Sequence, residues 1–227
     1  MDNNKLFHIL QLCGGNFPTG SFSQSWGLET YVAQGRMKTV EEFIIFLESY
    51  LDSQIARSEC PLGIEAMRLA ESSSWEKLSE VEQIARSMKL TKESREGSLR
   101  MGKALMRIAT QIIDDEEMKR FYEDYKKKGI SYSTAYGIVC GRLGLDKEEA
   151  FAAYIFSVVN GLVQSGIKLI PLGNTQAQSI LLKTGAMMEK AIKIGLKLTM
   201  DQVSNFSPGF DIASIKHESL GVRLYMS

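Results

Sequence analysis

Two histidines, three cysteines and four prolines are all that the 227 residues hold of those types, and the 27 Lys+Arg balance the 27 Asp+Glu. Neutrality argues against a nucleic-acid binder, which carries a basic excess to neutralise phosphates. So few imidazoles and thiols make a multi-metal store improbable, since one closed transition-metal site wants about four protein ligands. Cys13, Cys60 and Cys140 are odd in number, widely spaced and without a CxxC, which fits the reduced thiols of a cytosolic protein. The start, Met1-Asp2-Asn3-Asn4-Lys5, lacks the basic and long apolar regions of a signal peptide. The longest apolar stretch, 150–170, is interrupted by Ser157, Asn160, Gly161, Gln164 and Lys168, each costly in lipid, so it reads as a buried core helix and not a membrane span.

What is present is helix. Proline is scarce while Ala, Leu, Glu, Lys and Met recur. Thr39 with Glu42 forms a capping box ahead of Phe43, Ile44, Phe46, Leu47, Tyr50, Leu51 and Ile55, which predicts a helix over 40–57. Pro61 suits the first turn of the next. Helices follow Ser72-Ser73-Ser74 and Thr91, and a more polar one over 116–127 ends in three lysines and Gly129. A short helix over 132–143 precedes a helix opened by Asp146 and Glu149 that is apolar nearly all round and is expected to be central. Asn174 is expected to cap one last long helix reaching Leu198. No alternation builds a sheet and no linker divides the chain. The fold class is therefore all-α: a single-domain multi-helix bundle, residues 1–227, of about eight to ten helices.

The two ends differ from this body. Residues 13–29 concentrate glycines and aromatics, and 200–227 form an apolar tail behind a Ser207-Pro208-Gly209 break. Such a tail docks separately, either on its own domain or on a partner. Gly15 to Ser21 imitates a phosphate-binding loop, but Ser21 stands where lysine should be and no strand precedes, leaving a glycine-rich turn. His8 lies among apolar residues and reads as half-buried, and His217-Glu218 are too few ligands for a metal site. Lys89, Lys92, Arg95, Arg100, Lys103 and Arg107, interleaved with Glu93 and Glu96, read as a solvated helix face. No catalytic constellation and no cofactor loop emerge, so the chain is expected to be an interaction protein and not an enzyme.

The segments that chemistry leaves unexplained are similar to a known family. Gln11-Leu12-Cys13 through Phe17-Pro18-Thr19-Gly20-Ser21-Phe22-Ser23-Gln24-Ser25-Trp26-Gly27-Leu28-Glu29 resembles the N-terminal signature of the urease accessory protein UreF family. Leu99-Arg100-Met101-Gly102-Lys103, Ala135-Tyr136-Gly137, Arg142-Leu143-Gly144-Leu145 and Lys168-Leu169-Ile170-Pro171-Leu172-Gly173-Asn174-Thr175 follow in the family's order. Phe206-Ser207-Pro208-Gly209-Phe210-Asp211-Ile212-Ala213 and His217-Glu218-Ser219-Leu220 to Arg223-Leu224-Tyr225-Met226-Ser227 close it. Departures from the family's pattern fall at Gly14-Gly15, Gln24, Ser131 and Gly221-Val222.

The resemblance implies an all-α cytoplasmic homodimer required for urease maturation by nickel incorporation into the apo-enzyme. It implies a non-catalytic scaffold that bridges UreD/UreH and the GTPase UreG; the alternative is a regulator or activator of the UreG GTPase cycle, with Arg223 or another arginine reaching the nucleotide site. Nickel would be handled by the assembled complex, GTP and Mg would be bound by UreG, and this chain would hold no stable cofactor, no nucleic acid and no membrane. Partner-binding residues carried over are Phe22, Ser25, Gly27, Leu28 and Glu29 in the N-terminal signature, and His217, Glu218, Leu220, Arg223 and Leu224 in the partner-binding tail. A tail that orders on a partner is expected to be mobile in the free chain.

Overall fold

The computed structural model describes residues 2–226; Met1 and Ser227, which begin the start segment and end the tail motif, lie outside the described residues. Twelve α-helices and no strand are present among them, a little above the number expected. Helix α1 (Asn3–Cys13) is capped by Asp2, whose carboxylate accepts from Asn4 N at 3.0 Å. A glycine-rich loop with one 3₁₀ turn at Ser21–Ser23 leads to α2 (Leu28–Ala33). The loop that imitates a phosphate-binding motif thus follows a helix, as its missing strand predicts.

The capping box at α3 (Val40–Tyr50) is formed as read: Thr39 Oγ1 accepts from Glu42 N and Glu42 Oε2 accepts from Thr39 N, at 3.2 and 3.0 Å. The helix does not stop near residue 57, however. It runs through a π-helical segment, Leu51–Glu59, straight into α4 (Cys60–Glu71), where Cys60 N still bonds back to Ile55 O. Pro61 falls just beyond, where a missing N–H is absorbed by the change of helix type.

Helix α8 (Tyr132–Arg142) packs chiefly on α4 and α6 (Lys92–Ile112), with α5 (Trp75–Met88) beside it, while α7 (Glu116–Tyr125) packs on α6. Helix α8 is buried all round, from Tyr132 through Gly141. Its small residues permit this, since a Cβ at Gly141 would lie 2.5 Å from the Met67 carbonyl oxygen of α4. Buried Glu82 of α5 seats the start of α8, both of its oxygens accepting from Ser131 N at 3.0 Å, where a helix's free N–H groups favour a carboxylate.

Helix α9 (Lys147–Leu169), opened by Asp146, is central as expected, packing on α1, α2, α3, α4 and the two helices that follow it. It is not buried all round, since half of its apolar stretch, Phe156 included, faces outward. It is the one helix among the described residues long and apolar enough to cross a membrane. The last long helix is instead two, α10 (Asn174–Lys183) and α11 (Gly185–Gly195). They part at Thr184, whose hydroxyl donates to Ile180 O and Leu181 O at 3.0 and 3.1 Å and competes with the backbone ladder. Gly173, not Asn174, occupies the cap position, its N–H donating to Gln176 Oε1 at 2.9 Å.

Residues 196–207 return across the π segment, with Ser204 N on Arg57 O at 3.0 Å and Gln54 bonded to Ser207 Oγ. Helix α12 (Pro208–His217) then carries proline in its first turn, where it fits. The final stretch, 218–226, lies on this chain's own surface: Tyr225 is buried and Met226 N donates to Ser23 O at 2.8 Å. The tail is packed rather than free.

Candidate functional site

The N-terminal signature and the tail meet. Two positive-φ residues, Trp26 (φ 53) and Gly27 (φ 89), turn the loop so that α2 starts against α12. Glycine is required at the second, since its φ is left-handed and a Cβ there would lie 3.2 Å from Ala213 Cβ. One turn on, Thr30 Oγ1 donates to Ala213 O at 2.9 Å. Phe210 of α12 inserts among Tyr31, Phe46 and Tyr50, edge-on to each, with centroid distances of 6.4, 5.1 and 5.4 Å.

Charge closes the contact. His217 is fully buried; its Nε2 lies 2.9 Å from Glu29 Oε2 and its Nδ1 lies 2.6 Å from Glu93 Oε2. Arg223 donates to the other oxygen of Glu93 at 2.9 Å. Glu29 also accepts the backbone N–H groups of Leu224 and Tyr225, at 2.7 and 3.1 Å. Nearby, Ser214 bonds Thr91 and Ser94 of the α6 start at 2.8 and 3.2 Å. Thr91 therefore spends its hydroxyl on α12 and not on capping its own helix.

Five of the ten residues singled out in the sequence sit in or directly beside this junction: Gly27, Glu29, His217, Arg223 and Leu224. Ser25 and Leu28 are fully buried beneath it, so their side chains face this chain's interior. Phe22, Glu218 and Leu224 are exposed and Leu220 is partly so, which leaves them at the surface of the same region. Sequence reasoning misses Glu93, Thr30 and Ala213. Glu93 reads in sequence as part of a solvated face, and no local pattern marks it, because its partner lies 124 positions away.

The same face departs from expectation at Lys89, which is buried, paired with Glu59 and placed 5.2 Å from the centroid of Trp26. Glu59 in turn accepts from Tyr154 Oη at 2.6 Å. That pair anchors the loop's tryptophan over the π segment. The exposed remainder, including Lys92, Arg100, Lys103 and Arg107, stays solvated.

His217 presents opposite ring nitrogens to its two carboxylates, so the three side chains cannot converge on one ion. Among the described residues no group of three or more His, Cys, Asp or Glu is arranged to hold a metal. The remaining imidazole, His8, is half-buried on α1. Burial pushes the Cys13 thiol up to about 11, against the opposing pull of its hydrogen bond with Tyr136, and raises Cys60 and Cys140 as well; none is an activated nucleophile.

The sequence model of the UreF family matches residues 37–185, well over half of the chain. This chain belongs to the UreF family of urease accessory proteins. It is 34% identical over 229 residues to the urease accessory protein UreF of Bacillus sp. (strain TB-90), covering 99% of this chain and all of the relative. The UreF of Lachnoclostridium phytofermentans is 32% identical with the same coverage, and that of Sporosarcina pasteurii 30% over 88% of this chain and all of its own. The relatives are named as accessory proteins, and this UreF-family chain is likewise an accessory protein and not an enzyme. The junction draws on residues at both sides of the 37–185 match, joining its two flanks in space.

Proposed function

We propose that this chain is a cytoplasmic, homodimeric scaffold for urease maturation, bridging UreD/UreH and the GTPase UreG so that the assembly delivers nickel, as cargo, to apo-urease. What supports this most is the joining of its ends. With the tail closed on the N-terminal signature, Phe22, Glu218, Leu220 and Leu224 lie toward the surface around buried Ser25, Leu28 and Tyr225, a region of mixed apolar and charged character. Pre-ordered contact residues lower the entropy lost on association. Nickel and GTP belong to the other components, because the charged groups here neutralise one another within the chain.

The test mixes the purified chain with UreD and UreG, with and without GTP and magnesium, and measures mass by size exclusion with light scattering. A discrete complex carrying two copies of this chain is expected; a chain that stays alone under every condition overturns the scaffold reading. In the same assay, removal of residues from 207 onward should abolish the complex while the helical body remains folded. Arg223→Ala separates scaffold from GTPase activator: lowered GTP hydrolysis with assembly intact would favour the activator, whereas loss of assembly removes its support.

A further inference from the structure

A neutral imidazole carries one N–H and can donate in one direction only. His217 has a carboxylate oxygen within hydrogen-bond distance of both ring nitrogens, and both contacts are hydrogen bonds together only while the cluster holds one further proton, on the ring or on a facing carboxyl, of which the ring is the stronger base. The charged groups facing it are Glu29 from α2 and Glu93 from α6, with Arg223 from the tail on the far oxygen of Glu93. Lys92, Glu96, Arg100 and Glu218 line the open cleft beyond, of about 590 Å³. Two carboxylates are thereby balanced by one imidazolium and one guanidinium.

We propose that this cluster is a proton-dependent latch: the doubly protonated His217 holds residues 218–226 as a strap across the N-terminal signature, and loss of its second proton releases the strap while α12 and the helical body stay folded. The carboxylate that the imidazolium neutralises is the one that grips the strap, through the N–H groups of Leu224 and Tyr225. Without that proton, a buried carboxylate faces a bare nitrogen lone pair, a costly arrangement in a dry site.

The strap gives way first because its polar grip, Leu224 and Tyr225 N–H on Glu29 and Arg223 on Glu93, runs through the two carboxylates that His217 faces. Val222 and Leu224 are exposed, Met226 contributes its one backbone bond to Ser23, and the buried Tyr225 hydroxyl has no hydrogen-bond partner among the described residues. By contrast α12 is held independently by Phe210 in its aromatic nest, by the Thr30–Ala213 bond and by Ser214 on α6. Its C-terminal end also favours a cation at His217. The latch concerns this chain's own closure and stands whether or not the scaffold reading holds.

The test is hydrogen exchange followed by mass spectrometry on the full chain, from mildly acidic to mildly alkaline pH, corrected for the intrinsic pH dependence of exchange. Protection of 218–226 should fall about tenfold or more as pH rises, the equivalent of losing one hydrogen bond to a charged group, while α6 and α12 stay protected. His217→Phe, which keeps a buried ring without a proton to give, should exchange fast in the strap at every pH. Strap protection that ignores pH, or that survives in His217→Phe, overturns the proposal. Should that variant not fold, nitrogen NMR of the wild-type imidazole decides: a singly protonated ring in the protected strap overturns the latch, and an imidazolium there supports it.

Discussion

Gly137 of α8 lies so close to Gly63 of α4 that a side chain on the first would be driven into the carbonyl oxygen of the second. Backbone meets backbone here, and no rotamer change can relieve the clash. Gly137→Ala should therefore cost about 1–3 kcal/mol, at the upper end of the range for overpacking. Gly161 on α9 provides the contrast, since a Cβ there would meet nothing within 4 Å; Gly161→Ala should be neutral or gain about 0.5–1 kcal/mol from helix propensity. Urea midpoints of the two variants check this, and equal midpoints would mean that α4 and α8 have slack.

Thiol chemistry should be slow and collective. With burial holding Cys13 at about 11 and raising the other two thiols well above the ordinary range, almost no thiolate exists at neutral pH in the folded chain. Alkylation followed by mass spectrometry should find the three cysteines modified together as urea unfolds the protein. One thiol reacting fast in native buffer would contradict this environment.

Glu82 offers a pH test of the core. Burial raises its carboxyl above the usual range, opposed by the bonds from Ser131 and the charge of Arg86. A raised folded-state value means that the folded chain binds this proton more tightly than the unfolded chain. The stability it adds is full below the ordinary carboxylate range and is lost as pH rises through the folded value. The Tm difference between Glu82→Gln and wild type should thus shift toward the Gln variant from acid to neutral pH. Calorimetry at several pH values measures it, and a constant gap would show that Glu82 does not titrate differently on folding.

Much of the fold is legible from short-range signals. Thr39 with Glu42, Asp146 ahead of α9 and the glycine after α7 act over three or four residues, and each is where local chemistry puts it. Errors arise where tertiary packing decides. The apolar richness of α9 does not bury it on every face, whereas α8, with small residues that let neighbours approach its backbone, is buried throughout. The split at Thr184 rests on one hydroxyl competing for carbonyls. The site is half legible: Glu29 and His217 stand in segments of family resemblance, yet nothing in either segment reveals that they touch across 188 positions. Glu93 and Lys89 carry ordinary helix-face chemistry in sequence, and only the fold buries what they hold.

The π-helical segment at Leu51–Glu59 has a consequence for how length variation can be tolerated. An α-helix turns by about 100° per residue, and α3 and α4 are rigidly continuous through this segment. Its wider winding fixes the phase between Phe43 and Phe46 on one side and Gly63 on the other. Deleting a single residue there would let the rod relax to a plain α-helix while rotating one half's apolar stripe away from its neighbours. The segment is a register mark: nine residues whose number, more than whose identity, aligns the two halves of the core.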